Sequence, residues 1–226
     1  MMSFWVLFIG IAVVSWLVQM NLQNKFKKYS KIPTGNGMTG RDVALKMLHD
    51  NGIYDVQVTH TPGRLTDHYN PTNKTVNLSE GVYESNSIMA AAVAAHECGH
   101  AVQHARMYAP LKMRSAQVPV ENYASSNMTW VMMGGILLIN SFPQLLLAGI
   151  ILFAMTTLFS FITLPVEINA SKRALVWLSS SGITNSYNHA QAEDALRSAA
   201  YTYVVAALGS LATLVYYIMI FMGRRD

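Results

Sequence analysis

His96-Glu97-Cys98-Gly99-His100 is the stretch whose residue types and spacing carry chemistry. On a helix two histidines four positions apart project from one face, one turn above the other. That spacing lets two imidazole nitrogens meet one metal ion at about 2.0–2.1 Å. Glu97 follows the first histidine, beside the metal without ligating it, where it serves as a base for the water the metal activates. The bland alternative, two structural histidines on a buried helix, gives no use for the acid between them. A closed structural metal site in a membrane scaffold or adaptor is a rival from another class. Such a site takes four protein ligands and also gains nothing from Glu97.

The helix the motif requires is written around it. Met89-Ala90-Ala91-Ala92-Val93-Ala94-Ala95 is a strong helix former, Ser85 or Ser87 caps its start, and Pro110 marks its latest end. The expected helix is Ile88–Met107. Cys98 is the only cysteine in the chain, so an intramolecular disulfide is excluded. It points roughly opposite the histidines, which makes packing its expected role.

The 226 residues are 52% hydrophobic and only 12% charged, too apolar for an ordinary soluble domain. The net charge of +4 is no nucleic-acid signal, because the basic residues flank apolar segments and read as topology determinants. Phe4–Met20 is a near-continuous apolar run followed by Lys25, Lys27, Lys28 and Lys31. It reads as an uncleaved anchor with its basic end cytoplasmic. From Met128 to Leu164 there are 37 residues without a charged side chain, interrupted by Asn140-Ser141-Phe142-Pro143-Gln144. A single helix of that length would be about 55 Å long, far beyond a hydrocarbon core of roughly 30 Å. Two spans joined at Asn140–Gln144 fit better: a first that is short unless it reaches back to about Tyr123, and a second over Leu145–Leu164. Ala199–Met222 is a last apolar run. Four spans put both termini outside and both polar regions inside; Arg224-Arg225 opposes this, but the other basic residues outnumber them.

Between the spans lie shorter elements. Thr39 opens a helix that Gly52 ends. Val56–His60 and Gly63–Asp67 have strand character, Tyr69–Asn73 reads as a turn, and Lys74–Leu78 alternates as a strand with one solvated face. This last strand is either an ordinary interior strand or an unpaired edge onto which an extended peptide adds. Ala170–Ser180 is expected to be helical and closed by Gly182, and Asn188 with Gln191 resembles a capping box opening the next helix. His49 and His60 read as surface residues, and Asp67-His68 as a loop pair or a carboxylate orienting a ligand histidine.

A catalytic zinc site needs a third protein ligand and one open position. The downstream candidates are His104, Glu121, Glu167, His189, Glu193 and Asp194. His104 lies some 12 Å along the helix from His96, too far to share its ion. Glu167 is favoured: it follows the second span directly, and the hairpin before it supplies the even number of crossings that returns it to the histidines' side. His68, His104, Arg173 and Arg197 are the candidate donors to a developing oxyanion. A motif inside a span would mean cleavage within the bilayer, but here it follows a polar stretch and precedes Gln103, His104, Arg106, Lys112 and Arg114.

Four stretches together resemble the YugP-type neutral zinc metallopeptidases of bacteria, membrane relatives in layout of the HtpX and CaaX prenyl protease gluzincins. They are Leu65-Thr66-Asp67-His68-Tyr69, Val76-Asn77-Leu78-Ser79, the run Ala95–His104, and Leu164-Pro165-Val166-Glu167-Ile168-Asn169-Ala170-Ser171. The resemblance implies His96 and His100 as zinc ligands, Glu97 as base and Glu167 as third ligand. Many gluzincins have Asp four residues after the ligand Glu; this chain has Ser171. The expectation is therefore a mainly α membrane protein: four transmembrane helices plus a small α+β zincin-like metalloprotease domain carrying the HExxH helix. Its parts are an anchor (1–22), the metalloprotease domain (23–126), a transmembrane hairpin (127–165), a cytosolic helical segment with the third ligand (166–198) and a last span (199–226). The expected activity is zinc-dependent peptide hydrolysis at the cytoplasmic face of the cell membrane, on polypeptides that include membrane proteins.

Overall fold

In the computed structural model, which describes residues 4–223, long helices carry the chain and a three-stranded sheet sits beside the motif helix. Helix α1 (Phe4–Tyr29) runs past the expected Met20, because the lysines after it fit a helix end, where cations meet the negative pole of the dipole. Helix α2 (Gly40–Asp50) starts at a reciprocal cap: Thr39 Oγ1 accepts from the Asp42 N–H at 3.2 Å, and Asp42 Oδ2 accepts from the Thr39 N–H at 3.1 Å. Gly52 ends it with φ at 73°, as expected.

The sheet corrects two expectations. Its strands are β1 (Gln57–Thr61), β2 (His68–Asn70) and β3 (Thr75–Ser79), in the order β1-β3-β2. Gly63–Asp67 is not a strand: Gly63 has φ 103° and Leu65 φ 58°, both incompatible with extended backbone. The second strand instead takes Tyr69 and Asn70 from the expected turn. Nor does β3 offer an edge. It is the central strand, parallel to β1 and antiparallel to β2, and β2 is the strand that faces the motif helix.

A short α3 (Glu80–Tyr83) leads to α4 (Ile88–Ala105), capped by the Ser87 hydroxyl on the Ala90 N–H at 3.2 Å. Chain reversal at Met107, φ 51°, ends α4 early, and Pro110 opens the next helix rather than closing this one. The core gathers Val43, Met47, Leu48, Val76, Leu78, Val82 and Ile88 around the buried alanines of α4, with Ala174 and Leu178 from farther along the chain. Small side chains on α4 let its neighbours come close.

Helices α5 (Ala109–Leu137) and α6 (Pro143–Ser180) form an antiparallel hairpin, and α7 (His189–Gly223) packs on α6. The hairpin keeps one register along its length: Gly135 lies against Leu146, Gly149 against Met132, and Arg114 bonds Glu167. Helix α6 passes unbroken through Pro165, so the second span and the expected Ala170–Ser180 helix are one element and Glu167 sits within it. The Asn188–Gln191 capping box does not form; Asn188 Oδ1 accepts from the Asn185 N–H at 2.8 Å and Gln191 Oε1 has no partner. Three described helices are long and apolar enough to cross a membrane: Trp5–Tyr29, Pro143–Ser180 and His189–Gly223. The first half of α5 carries Lys112, Arg114 and Glu121. Arg224-Arg225, used above for topology, lie outside the described residues.

Candidate metal centre

Helix α4 delivers the two histidines as their spacing requires, with ring centroids 4.9 Å apart. Helix α6 delivers the carboxylate. What brings it near is Gly99: a Cβ there would lie 2.7 Å from the Ala170 carbonyl oxygen, so the two helix backbones meet where glycine leaves room. Glu167 stands about one turn before Ala170 and Ser171 directly after it. Glu167 Oε2 lies 3.2 Å from His96 Nε2 and 3.5 Å from His100 Nε2. Among the described residues, these three form the one group of potential ligands that converges, all ligand atoms within 4.8 Å of one another.

Each of the three is held from behind. The Ser171 hydroxyl lies 3.1 Å from His96 Nδ1, the place where a carboxylate was missing from the sequence pattern. His100 Nδ1 lies 3.1 Å from Gln103 Oε1, and the fully buried Gln103 amide donates to the Val166 carbonyl at 2.8 Å and to Asn169 Oδ1 at 3.0 Å. With both Nδ1 atoms so engaged, each Nε2 is turned toward the shared point. Arg114 Nη1 donates to Glu167 Oε1 at 2.9 Å, offsetting the burial of a carboxylate that is only 2% exposed. Burial disfavours a charged His100, but the hydrogen bond and charge of Glu167 outweigh it and raise its pKa above the ordinary value. Glu97 Oε2 accepts from the Tyr69 N–H at 3.0 Å, which ties the motif's acid to strand β2.

Two imidazole nitrogens and a carboxylate oxygen are a donor set that fits zinc and leaves a position open. The three side chains line a cavity of about 270 Å³ together with His68, Tyr69, Glu97, Arg114 and Tyr203, among others.

Several residues singled out in the sequence go elsewhere. His104 is exposed, its Nδ1 2.8 Å from the Tyr69 hydroxyl at the cavity wall. Asp194 binds Lys25 at 2.7 Å and Tyr29 at 2.6 Å, and His189 meets the Thr184 hydroxyl. Glu121 Oε2 is buried without a partner and outside the trio. Asp67 orients no ligand histidine; it accepts from the Ser79 N–H and hydroxyl at 2.7 and 2.9 Å, while His68 lines the cavity. Arg173 is tied to Asn169 at 2.7 Å, and neither it nor Arg197 lines the cavity. His49 and His60 are exposed beside Tyr54 and Tyr83. Cys98 faces away, 3.5 Å from the Ala44 carbonyl, and burial pushes its thiol pKa up, as suits a packing residue. Three residues of the site went unread in the sequence: Gln103, Arg114 and Tyr203. Gln103 had a legible signal, since it follows His100 by three on the same helix face.

Residues 4–222 match a protein-family model described as "Putative neutral zinc metallopeptidase". The chain belongs to the neutral zinc metallopeptidase family. It is 43% identical over 222 residues, 97% of its own length and 98% of the relative's, to a Bacillus subtilis (strain 168) protein named "Putative membrane protease YugP". No solved structure is a significant match. Zinc is thus the metal of this family, and the donor set formed by α4 and α6 accommodates it.

Proposed function

We propose that this chain is a membrane-embedded zinc metallopeptidase that hydrolyses peptide bonds with Glu97 as general base. His96, His100 and Glu167 are its zinc ligands. The observation that carries the reading is the convergence of His96 Nε2, His100 Nε2 and Glu167 Oε2 beside a cavity onto which Glu97 also opens. Bound there, zinc supplies a Lewis acid that polarises the scissile carbonyl and acidifies a water.

The chain's own residues do the rest. Glu97, oriented by the Tyr69 N–H, accepts the proton the water gives up as its oxygen bonds to the carbonyl carbon. When the C–N bond breaks, Glu97 returns that proton to the leaving amine. Arg114 keeps Glu167 ionised and occupies its second oxygen, so the first is presented to the metal. The open cavity at the trio disfavours a closed structural site.

Four spans are proposed, with α5 as the fourth alongside the three apolar helices, the metal centre on the cytoplasmic side and the domain parts as set out from the sequence. The partners are polypeptides, membrane proteins among them, and the lipid bilayer; nucleic acid is not one. Glu97→Gln in detergent-purified protein tests the reading. Zinc content is expected to stay and casein-type hydrolysis to fall by at least about 100-fold, within the range for loss of a general base. Undiminished hydrolysis in that variant contradicts it.

A further inference from the structure

Peptide hydrolysis places negative charge on the carbonyl oxygen, and a donor fixed where that charge develops contributes a large part of the rate. Besides Tyr69, the cavity's hydroxyl groups are those of Ser115, on the shorter side chain, and Tyr203. Tyr69 and His104 are engaged with each other, Arg114 is on Glu167, and His68 is anchored through Nδ1 to the Thr66 carbonyl at 2.8 Å. Arg173 and Arg197 do not reach it. Tyr203 does, from α7.

The helix register says why a tyrosine so far along the chain arrives here. On α6, Glu167 follows Phe153 by fourteen residues; on α7, Tyr203 precedes Tyr217 by the same number. Phe153 and Tyr217 stack edge-to-face, centroids 6.0 Å apart, so the antiparallel pair brings Tyr203 level with Glu167, about four turns away. The Tyr203 side chain feels the charges of Glu167, Glu97 and Arg114, and its hydroxyl is also within hydrogen-bonding influence of the Glu167 carboxylate, which it must leave to meet a substrate oxygen. Its residue remains 36% exposed, and it lines the same cavity as the trio. Glu97 is tethered to β2 while Tyr203 rides on α7, so base and phenol enter from different elements.

We infer that Tyr203 is a catalytic residue, its phenol O–H donating a hydrogen bond to the carbonyl oxygen as water adds. This rests on the hydrolase reading above. The water oxygen bonds to the carbon, the C=O electron pair moves onto the oxygen that Tyr203 holds, and the water proton goes to Glu97. Tyr203 keeps its own proton. When the pair returns and the C–N bond breaks, the amine takes the proton from Glu97.

The test compares full-length wild type, Tyr203→Phe, Tyr201→Phe and Glu97→Gln in detergent. It measures peptide hydrolysis, zinc content and the affinity of a phosphonate peptide whose tetrahedral oxygens stand in for the developing oxyanion. Tyr203→Phe is expected to lower kcat about 100-fold, the usual effect of removing one such donor. KM, zinc content and thermal unfolding should stay within about twofold of wild type, while phosphonate affinity falls in step with kcat. Tyr201→Phe should behave as wild type. A Tyr203→Phe kcat within threefold of wild type, or zinc lost in proportion to activity, overturns the assignment. Wild-type hydrolysis that Glu97→Gln leaves intact overturns the base role instead, and no hydrolysis by zinc-loaded wild type overturns both.

Discussion

Glu167 illustrates what a single buried carboxylate needs in order to serve as the proposed ligand. A carboxylate this buried is costly unless paired, and here Arg114 meets one oxygen while the imidazoles meet the other. Removing the partner leaves the charge in place and the geometry loose. Arg114→Gln is expected to weaken zinc binding about 10- to 100-fold, the usual cost of losing a residue that orients a metal ligand. Chelator competition reads it, and an unchanged zinc affinity would contradict the role. The histidines and Glu97 were legible because helix spacing alone places them. Arg114 was not, because its partner lies 53 positions away and only the hairpin register brings the two together. Tyr203 was hidden for a similar reason: within an apolar run, one tyrosine differs from its neighbours only through what packs against it.

Among the elements, the α4–α6 contact decides whether there is a site at all. Gly99 lies inside the motif, yet its use is steric: it lets the α6 backbone touch α4. Gly99→Ala must push the helices apart, at about 1–3 kcal/mol for overpacking, and should lower zinc affinity at least tenfold while both histidines remain. Calorimetric unfolding together with zinc titration checks it; a stable, tightly zinc-binding variant would contradict the account. Helix starts were readable from Thr39 and Ser87, because a cap is a local event. The sheet was less so. Asn70 and Pro71 signal a turn, and the backbone does turn at Pro71, but pairing with β3 draws Tyr69 and Asn70 into a strand. Strand order is set by long-range pairing, which no local pattern in Lys74–Leu78 records.

At the scale of the whole molecule, apolar helices carry one edge of a polar site. The α5–α6 hairpin holds one register from Gly135 and Leu146 to Arg114 and Glu167, so the packing that pairs the hairpin also sets the depth of the Glu167 carboxylate. Apolar length was easy to see in the sequence; the start of α5 was not, because its first turns are polar and read as part of the preceding domain. The four-span topology predicts that a reporter fused in the 138–142 turn or at the C-terminus is exported, and one in the 181–188 loop is cytoplasmic. A fluorescent, unexported C-terminal fusion would contradict it.

The central claim is that two imidazoles from α4 and one carboxylate from α6 share a zinc ion. X-ray absorption at the zinc edge of the loaded protein measures this directly. The account predicts nitrogen and oxygen neighbours at about 2.0–2.1 Å with scattering from two imidazoles, and loss of tight zinc binding in Glu167→Gln. A sulfur neighbour at about 2.3 Å, or an unaltered zinc spectrum and affinity in Glu167→Gln, would contradict it.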